Sequence, residues 1–67
     1  MKFGQILKEL RNEKQLTQKQ LAALLNVTDT SIRDWENRGI EPNYEILIKL
    51  ARIFSVTVGQ LLGTEEY

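Results

Sequence analysis

The stretch Thr17-Gln18-Lys19-Gln20-Leu21-Ala22-Ala23-Leu24-Leu25-Asn26-Val27-Thr28-Asp29-Thr30-Ser31-Ile32-Arg33-Asp34-Trp35-Glu36-Asn37 decides the fold. Thr17 and Gln20 have the capping-box spacing, in which a hydroxyl accepts from the amide three residues on and a glutamine reaches back. The helix they open places Leu21, Ala22 and Leu25 inward. Asn26 ends it, because asparagine tolerates the left-handed backbone that a tight helix-to-helix turn needs. Val27 is the apolar plug of that turn and Thr28 the next N-cap. A further helix then runs from about Asp29 to Asn37, with Ile32 and Trp35 facing inward. Two helices crossing steeply need apolar residues at these positions, a small residue such as Ala22 at the closest approach, and a residue that accepts positive φ at the junction. Every requirement is met within residues 17–37.

The flanks extend this pattern to an all-α, compact five-helix bundle. A first helix is expected from about Lys2 to Lys14, with Phe3, Ile6, Leu7 and Leu10 at helical spacing. Gly39 and Pro42 bracket a loop, and Asn43 caps a fourth helix whose stripe is Tyr44, Leu47, Ile48, Ala51 and Phe54. Thr57 and Gln60 repeat the capping box and open a short fifth helix through Leu62, closed by Gly63. The domain is expected to span residues 1–63, with 64–67 a frayed tail.

Composition narrows the chemistry. Sixty-seven residues make one domain, and an apolar share of 42% is enough for one core. There is no cysteine and no histidine, so disulfides, thiolate or imidazole metal sites and an imidazole base are all excluded. The acids are scattered and no glycine-rich phosphate loop is present, which argues against an enzyme. No metal, cofactor or small-molecule ligand is implied. The opening Met1-Lys2-Phe3-Gly4 leads into an amphipathic pattern rather than a signal peptide or membrane span, so the cytoplasm is the default location. The formal net charge of zero would not by itself suggest a nucleic-acid partner, since such binders usually present a basic face.

The ordered pieces Leu10-Arg11, Leu16-Thr17-Gln18, Leu21-Ala22, Val27-Thr28, Ser31-Ile32, Trp35-Glu36-Asn37, Pro42 and Leu50-Ala51 carry a resemblance that runs from Phe3 through Gly63. The chain resembles the lambda-repressor-like, Cro/XRE type of helix-turn-helix regulator. The resemblance implies a transcriptional repressor or regulator in bacteria or phage, usually dimeric. Its third helix would enter the major groove of a roughly palindromic double-stranded DNA operator. A dimer would place two such helices in successive grooves about 10 bp apart. The sequence departs from the family at Arg38-Gly39-Ile40-Glu41, where glycine usually comes one residue earlier and several basic residues follow. It departs again at Ser55, a usual glycine position.

On the third helix, at about 100° per residue, Thr30, Asp34 and Asn37 cluster opposite Ile32 and Trp35, with Arg33 alongside. Arg33 can donate bidentately to guanine, Asp34 and Asp29 can accept from the cytosine amino group, and Thr30 offers a hydroxyl and a methyl suited to thymine. Thr30, Arg33 and Asp34 are the expected direct readers, with Asp29 and Asn37 at the margins. Asp29 could equally favour the helix N-terminus or pair with Arg33 four residues on. Two aspartates near a polyanion lower affinity unless they meet cytosine amino groups or cations.

For phosphates, the resemblance implies Gln18, at the start of the second helix, where free amides and the positive dipole end favour an anion. Thr28, Ser31, Asn37, Arg38, Lys19, Asn43 and Tyr44 are further candidates. Thr28 could serve as an N-cap as well, and Tyr44 could instead be core. The family pattern makes Arg11 and Glu36 a partly buried structural pair, and spacing makes Trp35 core rather than a stacking platform. Ile46, Ile53 and Leu61 or Leu62 lie off the main stripes and form either a two-fold interface or extra core. A protein-interaction module, antitoxin-like or adaptor, on the same scaffold is the other class of function. Asp29 and Asp34 would suit it.

Overall fold

A computed structural model describes residues 2–66, and in it both capping boxes close. The order is α1 (Lys2–Glu13), α2 (Gln18–Leu25), α3 (Asp29–Asn37), α4 (Tyr44–Phe54) and α5 (Val58–Leu62). Thr17 Oγ1 accepts from the Gln20 amide at 3.0 Å while Gln20 Oε1 accepts from the Thr17 amide at 2.8 Å. Thr57 and Gln60 do the same at the start of α5, both at 2.9 Å. Thr28 and Asn43 cap α3 and α4 through single side-chain acceptors. Each cap satisfies an amide that the first helical turn would leave without a partner, typically worth about 1 kcal/mol.

Four of the five helix ends share a device. At Gln15, Asn26, Ser55 and Gly63 the backbone turns left-handed, with φ of 57°, 58°, 57° and 80°. The amide of the following residue then bonds back five positions, as in Leu16→Arg11, Val27→Ala22, Val56→Ala51 and Thr64→Gly59. Leu16, Val27 and Val56 use that reversal to drop an apolar side chain against the core. Asn26 and Val27 were legible in this role. Ser55, at a position where the family usually has glycine, takes the left-handed conformation that glycine would occupy without a Cβ penalty.

Every helix supplies at least one side chain that is almost wholly buried: Phe3 and Leu7, Leu21, Ile32, Leu50, and Leu61. At about 1.5–3 kcal/mol for each such side chain, none of the helices would hold its place alone. Helix α1 packs on α3 and α5, α2 on α3 and α4, and α4 on α5. The buried stripe of α4 is Leu47, Leu50, Ala51 and Phe54. It is thus rotated from the expected stripe: Tyr44 is 71% exposed and Ile48 is only half-buried.

Residues 64–66, expected to fray, make hydrogen bonds back to α5. Thr57 Oγ1 donates to Glu65 Oε1 at 2.8 Å, Gln60 Nε2 donates to the Glu66 carbonyl at 3.0 Å, and the Thr64 hydroxyl donates to the Gly59 carbonyl at 3.1 Å. Tyr67, the end of that expected tail, lies outside the described residues. Among the described residues no helix is long and apolar enough to cross a membrane.

Candidate nucleic-acid interface

Helix α3 is anchored from behind by three attachments. Ile32 and Trp35 are buried in the core, so Trp35 has no face to offer a base. Glu36 has a fully buried side chain and accepts from Arg11 Nε at 2.7 Å, Arg11 Nη2 at 3.1 Å and Gln18 Nε2 at 3.2 Å. Arg11 Nη1 donates to the Leu16 carbonyl at 2.8 Å. One carboxylate on α3 thereby ties together α1, the turn after it and the start of α2. The third attachment is Gly4. A Cβ built there would lie 2.6 Å from the Glu36 carbonyl oxygen and 2.7 Å from that of Trp35, so only glycine lets α1 approach the end of α3 this closely.

With that side fixed, the opposite face points to solvent. Thr30, Arg33 and Asn37 are exposed, and Asp29, Ser31 and Asp34 are partly exposed beside them. The charges on this face are paired along the helix. Arg33 Nη2 donates to Asp29 Oδ2 at 3.3 Å. Arg38 Nη1 lies 3.6 Å from Asp34 Oδ1, an ion pair too long for a hydrogen bond. Each acid precedes its base by four residues, the favourable orientation with respect to the helix dipole. The aspartates that would repel a polyanion thus each hold a cation.

The flanking residues are partly committed. Gln18 gives its side-chain amide to Glu36, leaving the main-chain amides of Gln18 and Lys19 at the helix start without an intrahelical acceptor. Lys19 is exposed and makes no ion pair among the described residues. Thr28 Oγ1 accepts from the Ser31 amide at 3.2 Å and lies 3.1 Å from Ser31 Oγ, so both hydroxyls are engaged in the cap. Asn43 Oδ1 accepts from the Ile46 amide at 3.0 Å. Tyr44, for which core was one alternative, stands in solvent at the start of α4.

One expected interface residue needs correction. Leu61 is wholly buried within its own chain, because it is the residue through which a one-turn helix reaches the core, and it has no surface for a partner. Ile46, Ile53 and Leu62 are half-buried and pack against the core.

Three features were missed. The Asp34–Arg38 pair was visible as an i, i+4 spacing. Gly4 could have been flagged as a glycine inside an amphipathic helix, where alanine would otherwise be favoured by about 1 kcal/mol. The bond from Gln18 to Glu36 had no local signal, because it joins residues 18 positions apart.

A buried first-to-third-helix pair, a tight α2–α3 turn and an outward polar face on α3 define a helix-turn-helix domain. A family model described as helix-turn-helix matches residues 7–61, and the chain belongs to this family, of the Cro/C1 type. It is similar to the HTH-type transcriptional activator BcrR of Enterococcus faecalis, with 46% identity over 98% of this chain and 32% of that protein. It is 33% identical to the HTH-type transcriptional regulator ImmR of Bacillus subtilis, over 98% of this chain and 52% of that one. Multiprotein-bridging factor 1 of Debaryomyces hansenii is 39% identical over 94% of this chain and 43% of its own length. The chain therefore spans about a third to about half of the length of these relatives. No solved structure matches it significantly.

Proposed function

We propose that this domain is a sequence-specific double-stranded DNA-binding transcriptional regulator that reads the major groove with α3. The observation that carries the reading is the solvent-facing stripe of exposed Thr30, Arg33 and Asn37 with partly exposed Asp34, set opposite Ile32 and Trp35 on a helix anchored by Glu36. A helix of this diameter fits the major groove, where each base pair shows a distinct donor and acceptor pattern. Arg33 reads guanine, Thr30 the thymine methyl, and Asp34 and Asn37 neighbouring amino groups. Asp29 lies at the margin of that surface.

Main-chain amides at the start of α2, with Gln18 and Lys19, hold one phosphate run. Thr28, Ser31, Arg38, Asn43 and Tyr44 supply the rest. A homodimer using the remaining exposed surface of Ile46, Ile53 and Leu62 would meet a roughly palindromic site. The sign of regulation then follows operator position. A dimer across a promoter represses and one beside it can activate; the relative BcrR is named as an activator. This reading places the domain with DNA in the cytoplasm.

Selection from a pool of random duplexes tests it. The expected outcome is a two-half-site motif, with Arg33→Ala relaxing one base pair per half-site by about 1–3 kcal/mol. Recovery of no enriched sequence would refute it.

A protein-interaction role is the second reading. It draws on the self-neutralised charges of α3, on the exposed Leu24 and Tyr44, and on the likeness to a protein named as a multiprotein-bridging factor. Salt separates the two, because DNA binding weakens steeply as salt rises.

A further inference from the structure

We infer that Asp29 is a positioning residue: it holds the Arg33 guanidinium as one aimed, charge-compensated unit that accepts guanine and is discouraged from phosphate. This rests on the DNA reading proposed above, and it replaces the direct cytosine contact expected for Asp29.

The geometry of the pair carries the argument. Asp29 takes a single N–H of Arg33, from Nη2, at 3.3 Å. A guanidinium has five N–H donors in a planar fork. One committed donor leaves four, and a contact to guanine O6 and N7 needs two of them. The side chains remain 55% and 34% exposed, so the unit stands on the surface of α3 rather than within the core.

An unpaired arginine on this face would lose its rotamer freedom on reaching a base and could satisfy itself on any nearby phosphate. The Asp29 carboxylate changes both options. It holds the long side chain along the helix before DNA arrives, so less freedom is lost on docking. It also adds a negative charge beside the guanidinium, which opposes a phosphate but not the neutral edge of guanine. Like-charge placement of this kind lowers affinity for every duplex and lowers it most for wrong ones.

The Asp34–Arg38 pair does not share this geometry. Its 3.6 Å separation leaves Arg38 without a hydrogen bond to Asp34, and Arg38 already sits at the C-cap with its side chain 70% exposed. In this reading the more loosely paired Arg38, at the end of α3, serves a phosphate and Arg33 a base.

The test is a double-mutant cycle on duplexes recovered from the random pool with the unaltered chain, each carrying one altered base pair. Asp29→Asn is expected to reduce the preference at the Arg33-dependent base pair about tenfold. It should also strengthen binding to duplexes altered there and steepen the salt dependence. Asp29→Glu, which can keep the i, i+4 pair, should retain most of the preference. In an Arg33→Ala background, Asp29→Asn should change base preference no further, and urea midpoints should stay near that of the parent chain throughout.

Two outcomes would overturn the inference while leaving DNA reading intact. One is an unchanged preference in Asp29→Asn. The other is an Asp29→Asn effect that persists in the Arg33→Ala background, which would mean Asp29 touches a base itself. A pool with no enriched sequence would overturn the DNA reading, and this inference with it.

Discussion

Glu36 and Asp29 sit on the same helix and each pairs with an arginine, yet the two pairs do different things. Glu36 is fully buried, accepts three hydrogen bonds and joins α3 to α1 and α2. Asp29 is a third exposed, accepts one bond and joins α3 only to itself. Removing charge from water is costly, so the buried pair persists only with near-complete hydrogen bonding, and losing one partner strands the other. An exposed pair contributes little to stability, so it can orient a side chain at the surface without being needed for the fold. Burial thus sorts chemically similar pairs on one helix into one that fixes its position and others that are available for recognition.

The largest effect should come from breaking the buried side. Glu36→Ala leaves Arg11 in the interior without its carboxylate, and urea unfolding should report a loss of about 3–5 kcal/mol. For a 67-residue domain that is a large share of the total stability. If the loss were instead below about 1 kcal/mol, as at an exposed pair, the contrast would collapse.

Gly4→Ala sharpens the comparison by displacing α3 while keeping both ionic partners. The added methyl meets backbone carbonyl oxygens rather than a mobile side chain. A loss of about 1–3 kcal/mol is expected in the same assay. Affinity for a selected duplex should fall as well, because the reading helix shifts.

On the exposed side, Arg33→Ala should leave the unfolding free energy within about 0.5 kcal/mol of the parent chain. The effect described above should appear only in base preference. Smallest of all is Asp34→Asn. Stability should again stay within about 0.5 kcal/mol, while non-specific DNA affinity at low salt should rise modestly, measured by fluorescence anisotropy on a random-sequence duplex.

The parts of this organisation that were legible in sequence are those set by near neighbours. Capping boxes at Thr17 and Thr57 need only residues three apart, and Asn26-Val27 encodes its own turn. The inward pair Ile32 and Trp35 follows from helical spacing, and the outward face follows by subtraction. Helix α4 was harder. Its apolar residues are so many that Tyr44 and Ile48 can be drawn into a stripe with Leu47, but Glu45, Lys49 and Arg52 stand at i, i+4 and i+7 and mark one polar face. The residues opposite that face are Leu47, Leu50, Ala51 and Phe54, the ones the structure buries, while Tyr44 stays outside. The burial of Leu61 had no such signal, since a one-turn helix has too few residues to display a face. Gln15 was missed because a left-handed glutamine carries none of the glycine or asparagine signal that usually marks such a turn.

Titration of the 15N-labelled domain with a selected duplex, followed by amide chemical shifts, tests most directly that α3 is the reading surface. The largest changes are expected from Thr28 to Asn37 and at the Gln18 and Lys19 amides, with α5 nearly silent. Changes concentrated on α4 and α5 with α3 unmoved, or no change at any amide, would contradict it.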